Sequence, residues 1–184
     1  MKHIKKMVVL LVAILLLIQT SIVHAYVAPP DLVNQYVFYS YGYLPKVLNV
    51  YTSSPPVSGN MVTLYTNTDS NYQKWFFSSN SDIENAPSNS YRIVPLLGPS
   101  LALNYNQATT KCTLYPFATN LITDYPVFFD WLTNGYAIYL ASNTHRYLGN
   151  SANSNGAQCY WYYLGTNSYI HDEDLWLFSP VTFA

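Results

Sequence analysis

Four landmarks recur along this chain in the same order, three times over. Each copy opens on a tyrosine, in Tyr36-Val37-Phe38, Tyr91-Arg92-Ile93 and Tyr136-Ala137-Ile138. Twelve residues further on stands a leucine, in Val47-Leu48-Asn49, Ala102-Leu103-Asn104 and Tyr147-Leu148-Gly149. A third block reads Val62-Thr63-Leu64-Tyr65, Cys112-Thr113-Leu114-Tyr115 and Cys159-Tyr160-Trp161-Tyr162. Each copy closes on tryptophan, in Trp75-Phe76-Phe77, Trp131-Leu132 and Trp176-Leu177-Phe178. The interval from leucine to tryptophan is 27, 28 and 28 residues. With 19 tyrosines in the chain a single Tyr match means little, but four ordered landmarks keeping register three times define a repeat.

Every block is short, alternating or β-branched, and bounded by turn residues such as Leu44-Pro45, Gly59-Asn60, Gly98-Pro99, Asn134-Gly135 and Asn155-Gly156. Nothing of helical period is long enough to compete. Four strands per copy give twelve. A propeller needs at least about four blades, so three units close in another way, with six strands in a barrel and six in hairpins that cap it. The expected fold class is all-β, a β-trefoil of three four-stranded repeats with pseudo-threefold symmetry. Its domain spans 36–184, with repeats at about 36–88, 89–133 and 134–180, and all three closing tryptophans are expected in the core.

Residues 1–25 read as a signal peptide. Lys2, Lys5 and Lys6 precede the apolar run Met7 to Ile18, and Val23-His24-Ala25 offers a small-residue cleavage site. The run is shorter than the ~20 residues of a membrane span, so no stable span is expected, and the protein is expected to be secreted, to the periplasm or beyond. Removing this segment leaves five basic residues (Lys46, Lys74, Arg92, Lys111 and Arg146) against nine acidic ones. The five are scattered, whereas nucleic acid demands clustered cations, so nucleic acid is excluded as a partner. An N-terminal tail, 26–35, precedes the first repeat and is placed either over the barrel or toward a partner.

The unit Tyr-x-Ile/Phe, Leu-Asn, Val-x-Leu-Tyr and Gln73-Lys74-Trp75 resembles the ricin-type lectin repeat, whose fourth strand carries Gln-x-Trp, across about 36–180. The glutamine stands in copy one alone, since the others read Phe129-Asp130-Trp131 and Asp174-Leu175-Trp176. In ricin-type lectins a galactose-like sugar meets three groups. An Asp after the second-strand leucine accepts its hydroxyls, an aromatic ending the third strand stacks on it, and an Asn or Gln near the Gln-x-Trp completes the contacts. The resemblance places Asn49, Asn104 and Gly149 at the first position, Tyr65, Tyr115 and Tyr162 at the second, and Asn71 and Gln73 at the third. The implied ligand-binding set is Asn49, Tyr65, Asn71, Gln73, Asn104, Tyr115 and Tyr162, best equipped in copy one and poorest in copy three. The carboxylate is missing throughout; Asn still bonds hydroxyls, though charged acceptors bond more strongly. Lectin repeats also often carry a disulfide within one copy. Here Cys112 and Cys159 share one position in copies two and three, leaving two outcomes: a bridge between copies, or two buried thiols acting as small apolar groups.

No catalytic constellation is visible. His145 and His171 have no Ser or Cys nucleophile pattern nearby, and there is no Gly-x-Ser-x-Gly. The run Asp172-Glu173-Asp174 beside His171 reads as a solvated loop ahead of a core strand rather than a metal site. No enzyme activity, metal or cofactor is expected. In size, export signal, aromatic richness and lack of catalytic residues the chain is also similar to the trefoil subunits of cytolethal distending toxins, which pair with a nuclease. That resemblance implies a non-enzymatic secreted protein binding a cell-surface glycan or glycoprotein receptor, with a catalytic toxin subunit and a second binding subunit as partners. A free-standing secreted lectin of altered specificity is the alternative. A trefoil protease inhibitor is a third, although Lys46 and Arg92 fall at strands rather than on a protruding loop.

Overall fold

Six strands of the computed structural model close into a ring with no free edge. The model describes residues 26–117, 124–165 and 169–181; the expected signal peptide, 1–25, lies outside them. Copy one supplies β1 (Tyr36–Ser40), β2 (Lys46–Tyr51), β3 (Met61–Thr66) and β4 (Trp75–Ser79). Copy two supplies β5 (Tyr91–Pro95), β6 (Leu101–Tyr105), β7 (Cys112–Pro116) and β8 (Val127–Leu132). Copy three supplies β9 (Gly135–Leu140), β10 (Asn143–Asn150), β11 (Ala157–Tyr163) and β12 (Trp176–Pro180). The first and fourth strands of each copy pair in the circuit β1-β4-β5-β8-β9-β12 and back to β1. The three hairpins β2-β3, β6-β7 and β10-β11 cap that barrel. This is the β-trefoil, and closure satisfies strand edges that an open sheet would expose. Among the described residues, no helix is long and apolar enough to cross a membrane.

The hairpins meet on the threefold axis. Met61 is in register with Thr113, Gln158 with Thr63, and Lys111 with Tyr160. One step along each antiparallel register brings Val62, Cys112 and Cys159 together pairwise, one from each copy. Their carbonyls have no further strand to bond. The Gln158 amide nitrogen donates to all three, at 2.9, 2.9 and 2.7 Å, so its two hydrogens are shared among three acceptors. Of the two outcomes left open for the cysteines, the structure shows the second. Both are free thiols and wholly buried, with no bridge between copies, and burial pushes both thiols well up in pKa.

Deeper in the barrel a second threefold layer forms from Phe77, Phe129 and Phe178. Their ring centroids lie 5.2, 5.0 and 5.8 Å apart, with the rings edge-to-face, an arrangement favoured by their quadrupoles. This layer corrects the placement of one tryptophan. Trp75 opposes Pro95 and Trp176 opposes Ser40, each four residues after a leading tyrosine. In copy two that place, opposite Leu140, belongs to Val127. Trp131 lies four residues further along β8, opposite Tyr136 itself, and is 52% exposed. It faces the same side of the strand as Val127 and Phe129, but one layer past the end of the barrel. Trp75 and Trp176 are fully buried and donate to the carbonyls of Leu48 and Leu148, each at 3.1 Å. In copy two an indole bond reaches the second strand from copy three, one residue past the equivalent Leu103. Trp161, opposite Leu148 where the other copies carry Leu64 and Leu114, donates to the Asn104 carbonyl at 3.2 Å. An oversized third-strand residue thus serves the region where the fourth strand has only valine.

The N-terminal tail lies over the barrel. The Val27 amide bonds the Phe129 carbonyl at 2.8 Å, and Tyr26 stacks on Phe128 at 4.3 Å. Asp31 then turns the chain into β1, accepting from the Val33 and Asn34 amides, the Asn34 side chain and the Tyr36 hydroxyl.

Candidate functional site

Strand alternation splits each capping hairpin into a core face and an open face. In copy one Leu48, Val50, Val62 and Leu64 are buried, while Asn49, Tyr51, Thr63 and Tyr65 share the other face, with Asn49 opposite Thr63. Copy two repeats this register: Asn104 opposes Thr113, and Tyr115 lies two residues beyond. Both faces open into clefts. The copy-one cleft, about 550 Å³, is walled by Asn49, Tyr51, Tyr65, Tyr72 and Gln73, with Thr52, Ser53, Thr68 and Ser70 around them. The copy-two cleft, about 470 Å³, is walled by Asn104, Tyr105, Gln107, Thr113, Tyr115 and Asp124, with Ser58 and Gly59 reaching in from copy one. Both volumes fall in the ~300–1,000 Å³ range of small-molecule sites.

In copy one the Asn49 amide nitrogen is held by the Val50 carbonyl at 3.0 Å and reaches Thr63 Oγ1 at 3.5 Å. Its carbonyl oxygen is therefore the group it offers to the cleft. Gln73 lines the wall but is committed elsewhere. It is 1% exposed; its oxygen accepts from the Thr68 amide and hydroxyl at 2.9 and 3.2 Å, and its nitrogen donates to the Thr66 carbonyl at 2.9 Å. Its role is to fix the loop after β3. Asn71 opens the 3-10 turn Asn71–Gln73, is exposed, and does not line the cleft. Tyr72, which sequence reasoning passed over, takes that place beside Tyr51 and Tyr65. Among the described residues no charged side chain lines this cleft. Three phenol rings and a neutral amide suit a ligand with one apolar face and hydroxyl donors.

Copy two has a carboxylate that the second-strand position lacks. Asp124 is 5% exposed and accepts from the Gln107 amide at 2.8 Å. It stands three residues ahead of β8, and no spacing from Leu103 marked it. Beside it Tyr105 is covered by the Arg146 guanidinium, 4.9 Å from the ring centre, a cation–π contact that fixes one wall.

Copy three brings its residues together but fills the space itself. A Cβ on Gly149 would lie 2.7 Å from the Asp174 carboxyl carbon and 2.8 Å from Tyr162, with an Asp174 oxygen closer still. Asp174 accepts from the Asn150 amide at 2.8 Å, and burial raises its carboxyl pKa. Tyr162 donates to the Asn150 carbonyl at 3.1 Å and packs with Tyr147, its own hydroxyl pushed up to about 12, chiefly by burial. Tyr162 is therefore a packing residue. The acidic run is solvated only in part: Asp172 is exposed, whereas Asp174, the last residue of the 3-10 turn Asp172–Asp174, is 6% exposed. Among the described residues, no group of three or more His, Cys, Asp or Glu is placed to hold a metal ion.

No family model matches the chain, and no curated protein sequence is detectably similar. Solved structures do match. A mosquitocidal holotoxin superposes over 82% of this chain with a TM-score of 0.67 at 18% identity, and the chain spans 18% of that toxin's length. The Rhizoctonia solani agglutinin matches over 84% of this chain and 100% of its own, with a TM-score of 0.63 at 15% identity. The C-terminal half of an earthworm R-type lectin, solved in complex with GalNAc, matches over 80% of this chain and 99% of its own, with a TM-score of 0.57 at 13% identity. At identities this low the likeness is one of fold, and this chain has the β-trefoil architecture of these lectins and of that toxin.

Proposed function

We propose that this chain is a non-catalytic carbohydrate-binding protein whose first two clefts each take a neutral sugar. The observation that carries the reading is the recurrence of an Asn and a Tyr, Asn49 with Tyr65 and Asn104 with Tyr115, at the same hairpin register in the wall of a cleft in two copies. Core packing accounts for the repeated leucines beneath them, but not for a repeated Asn and Tyr on the strand face turned away from those leucines. A tyrosine ring buries the apolar face of a pyranose while Asn oxygens accept its hydroxyls. The test is binding to an array of neutral glycans by wild type, Asn49→Ala/Tyr65→Ala and Asn104→Ala/Tyr115→Ala. Each pair of substitutions should weaken binding at least tenfold at its own cleft, and array binding unchanged in both variants refutes the assignment.

The finer reading is an exported receptor-binding subunit of a multi-subunit toxin, acting on a cell-surface glycan or glycoprotein with a catalytic partner. It draws on the signal-peptide pattern of 1–25 and on the likeness to part of a holotoxin. Co-purification of a catalytic chain from the native secreted fraction supports it. A monomer that binds glycans alone favours a free-standing lectin instead. The inhibitor reading is weakened because both cations it would present are engaged: Arg92 is 7% exposed and paired with Asp82, and Lys46 bonds Thr66 and Asn155.

A further inference from the structure

The displaced tryptophan of copy two borders a third cleft, remote in the repeat from the two hairpin sites. It lies at the β8-β9 turn, about 590 Å³, lined by Trp131, Leu132, Asn134, Ile170, Asp172 and Leu175. Trp131 is the one exposed tryptophan of the four; Trp75, Trp161 and Trp176 are 0, 1 and 0% exposed. An indole left half in water forgoes much of the burial its apolar surface would gain. It is also held in place: it meets Tyr136 edge-to-face at 4.8 Å, and Tyr136 in turn stacks on Phe178 of the core layer at 4.5 Å. In the same cleft two polar groups are pre-set. Asn134 Nδ2 donates to both Asp172 oxygens, at 3.2 and 3.3 Å, fixing a carboxylate and an amide oxygen side by side as acceptors. Among the described residues no cation lines the cleft, so an anionic ligand would meet the Asp172 carboxylate without a compensating charge from them.

We infer that this cleft is an additional carbohydrate site, with the Trp131 indole stacking on one pyranose face and the Asp172–Asn134 pair accepting adjacent hydroxyls. The inference rests on the carbohydrate-binding reading above but uses none of the hairpin residues. A rigid aromatic platform, an apolar floor and a fixed pair of acceptors match a neutral sugar, which presents C–H groups on one face and hydroxyls at its edge. The fixed Asp172–Asn134 acceptors suit sugar hydroxyls, and the Thr133 hydroxyl beside them adds a donor for a sugar oxygen.

Since Trp131 alone among the tryptophans meets solvent, the iodide-accessible part of the emission reports this site selectively. The test uses the Tyr65→Ala/Tyr115→Ala variant, with the hairpin clefts disabled, titrated with lactose, cellobiose and mannobiose while tryptophan emission and iodide quenching are followed. A saturable emission change with protection from iodide, lost on adding Trp131→Ala and weakened at least tenfold by Asp172→Asn, is the expected result. Thermal melts of the added variants within a few degrees of their parent exclude unfolding as the cause. No saturable change with any of the three sugars overturns the third site. If array binding through Tyr65 or Tyr115 persists in the wild type, the carbohydrate reading itself stands; if that binding is absent too, both fail.

Discussion

Replacing Trp75 and Trp131 separately by alanine tests the strand register on which the description of the core depends. A chain with three equivalent closing tryptophans would lose similar stability at each. The structure makes them very unequal. Trp75 is wholly buried, and its indole satisfies the Leu48 carbonyl at 3.1 Å. Truncation of a buried tryptophan costs roughly 3–5 kcal/mol, and stranding a buried carbonyl adds about 1–3 kcal/mol. A loss near 4–6 kcal/mol is expected, allowing for partial collapse of the cavity and water entry. Trp131 is 52% exposed and has one aromatic contact, with Tyr136, so its truncation should cost at most about 1 kcal/mol. For a domain of this size 1 kcal/mol corresponds to roughly 2–4 °C in Tm. Trp75→Ala should therefore melt at least about 8 °C lower, and Trp131→Ala within about 4 °C of wild type. Far-UV circular dichroism is the suitable probe, because it does not depend on the residues being removed. Equal destabilisation of the two variants would show that β8 is out of the register described and that Val127 does not stand in the core tryptophan's place.

Gly149→Ala should be destabilising by about 1–3 kcal/mol, because its Cβ would overlap Asp174 and Tyr162; adding Asp174→Ala should relieve part of the clash, which a urea denaturation series would detect. Asp174→Asn gives a pH-dependent gain. Burial raises the folded carboxyl pKa above its ordinary 3.8, so the fold bears the cost of a charged buried group at neutral pH. The variant should be more stable than wild type there, with the difference vanishing as pH falls through the raised pKa toward 3.8; a constant difference at all pH would contradict this origin. Cys112 and Cys159 should resist a thiol reagent in the native protein and give two reactive thiols on unfolding, as expected of fully buried groups with raised pKa. No reactive thiol in denaturant, with a mass lower by two hydrogens, would show a bridge instead.

The sequence by itself determined the architecture. Period-two blocks between turn residues specify which side chains face inward, and three copies of four such blocks leave few ways to close. The resemblance to the ricin-type repeat singled out Asn49, Tyr65, Asn104 and Tyr115, and the hairpin register, a local property, sets them on the strand faces opposite the core leucines. Three matters were decided only by tertiary structure. Counting from Leu103 put Trp131 in the core, but which layer of the barrel a strand residue occupies depends on its hydrogen-bond register with a distant strand, and β8 aligns on β9 with Val127 in the core place. Asp124 lines the copy-two cleft from just ahead of β8, a place that no repeat spacing encodes. Asp174 closes copy three because Gly149, lacking a Cβ, leaves room for a carboxylate that arrives from 25 residues further along the chain. Periodicity is written in neighbouring residues, whereas the filling of a cleft is settled by groups that meet only once the chain has folded.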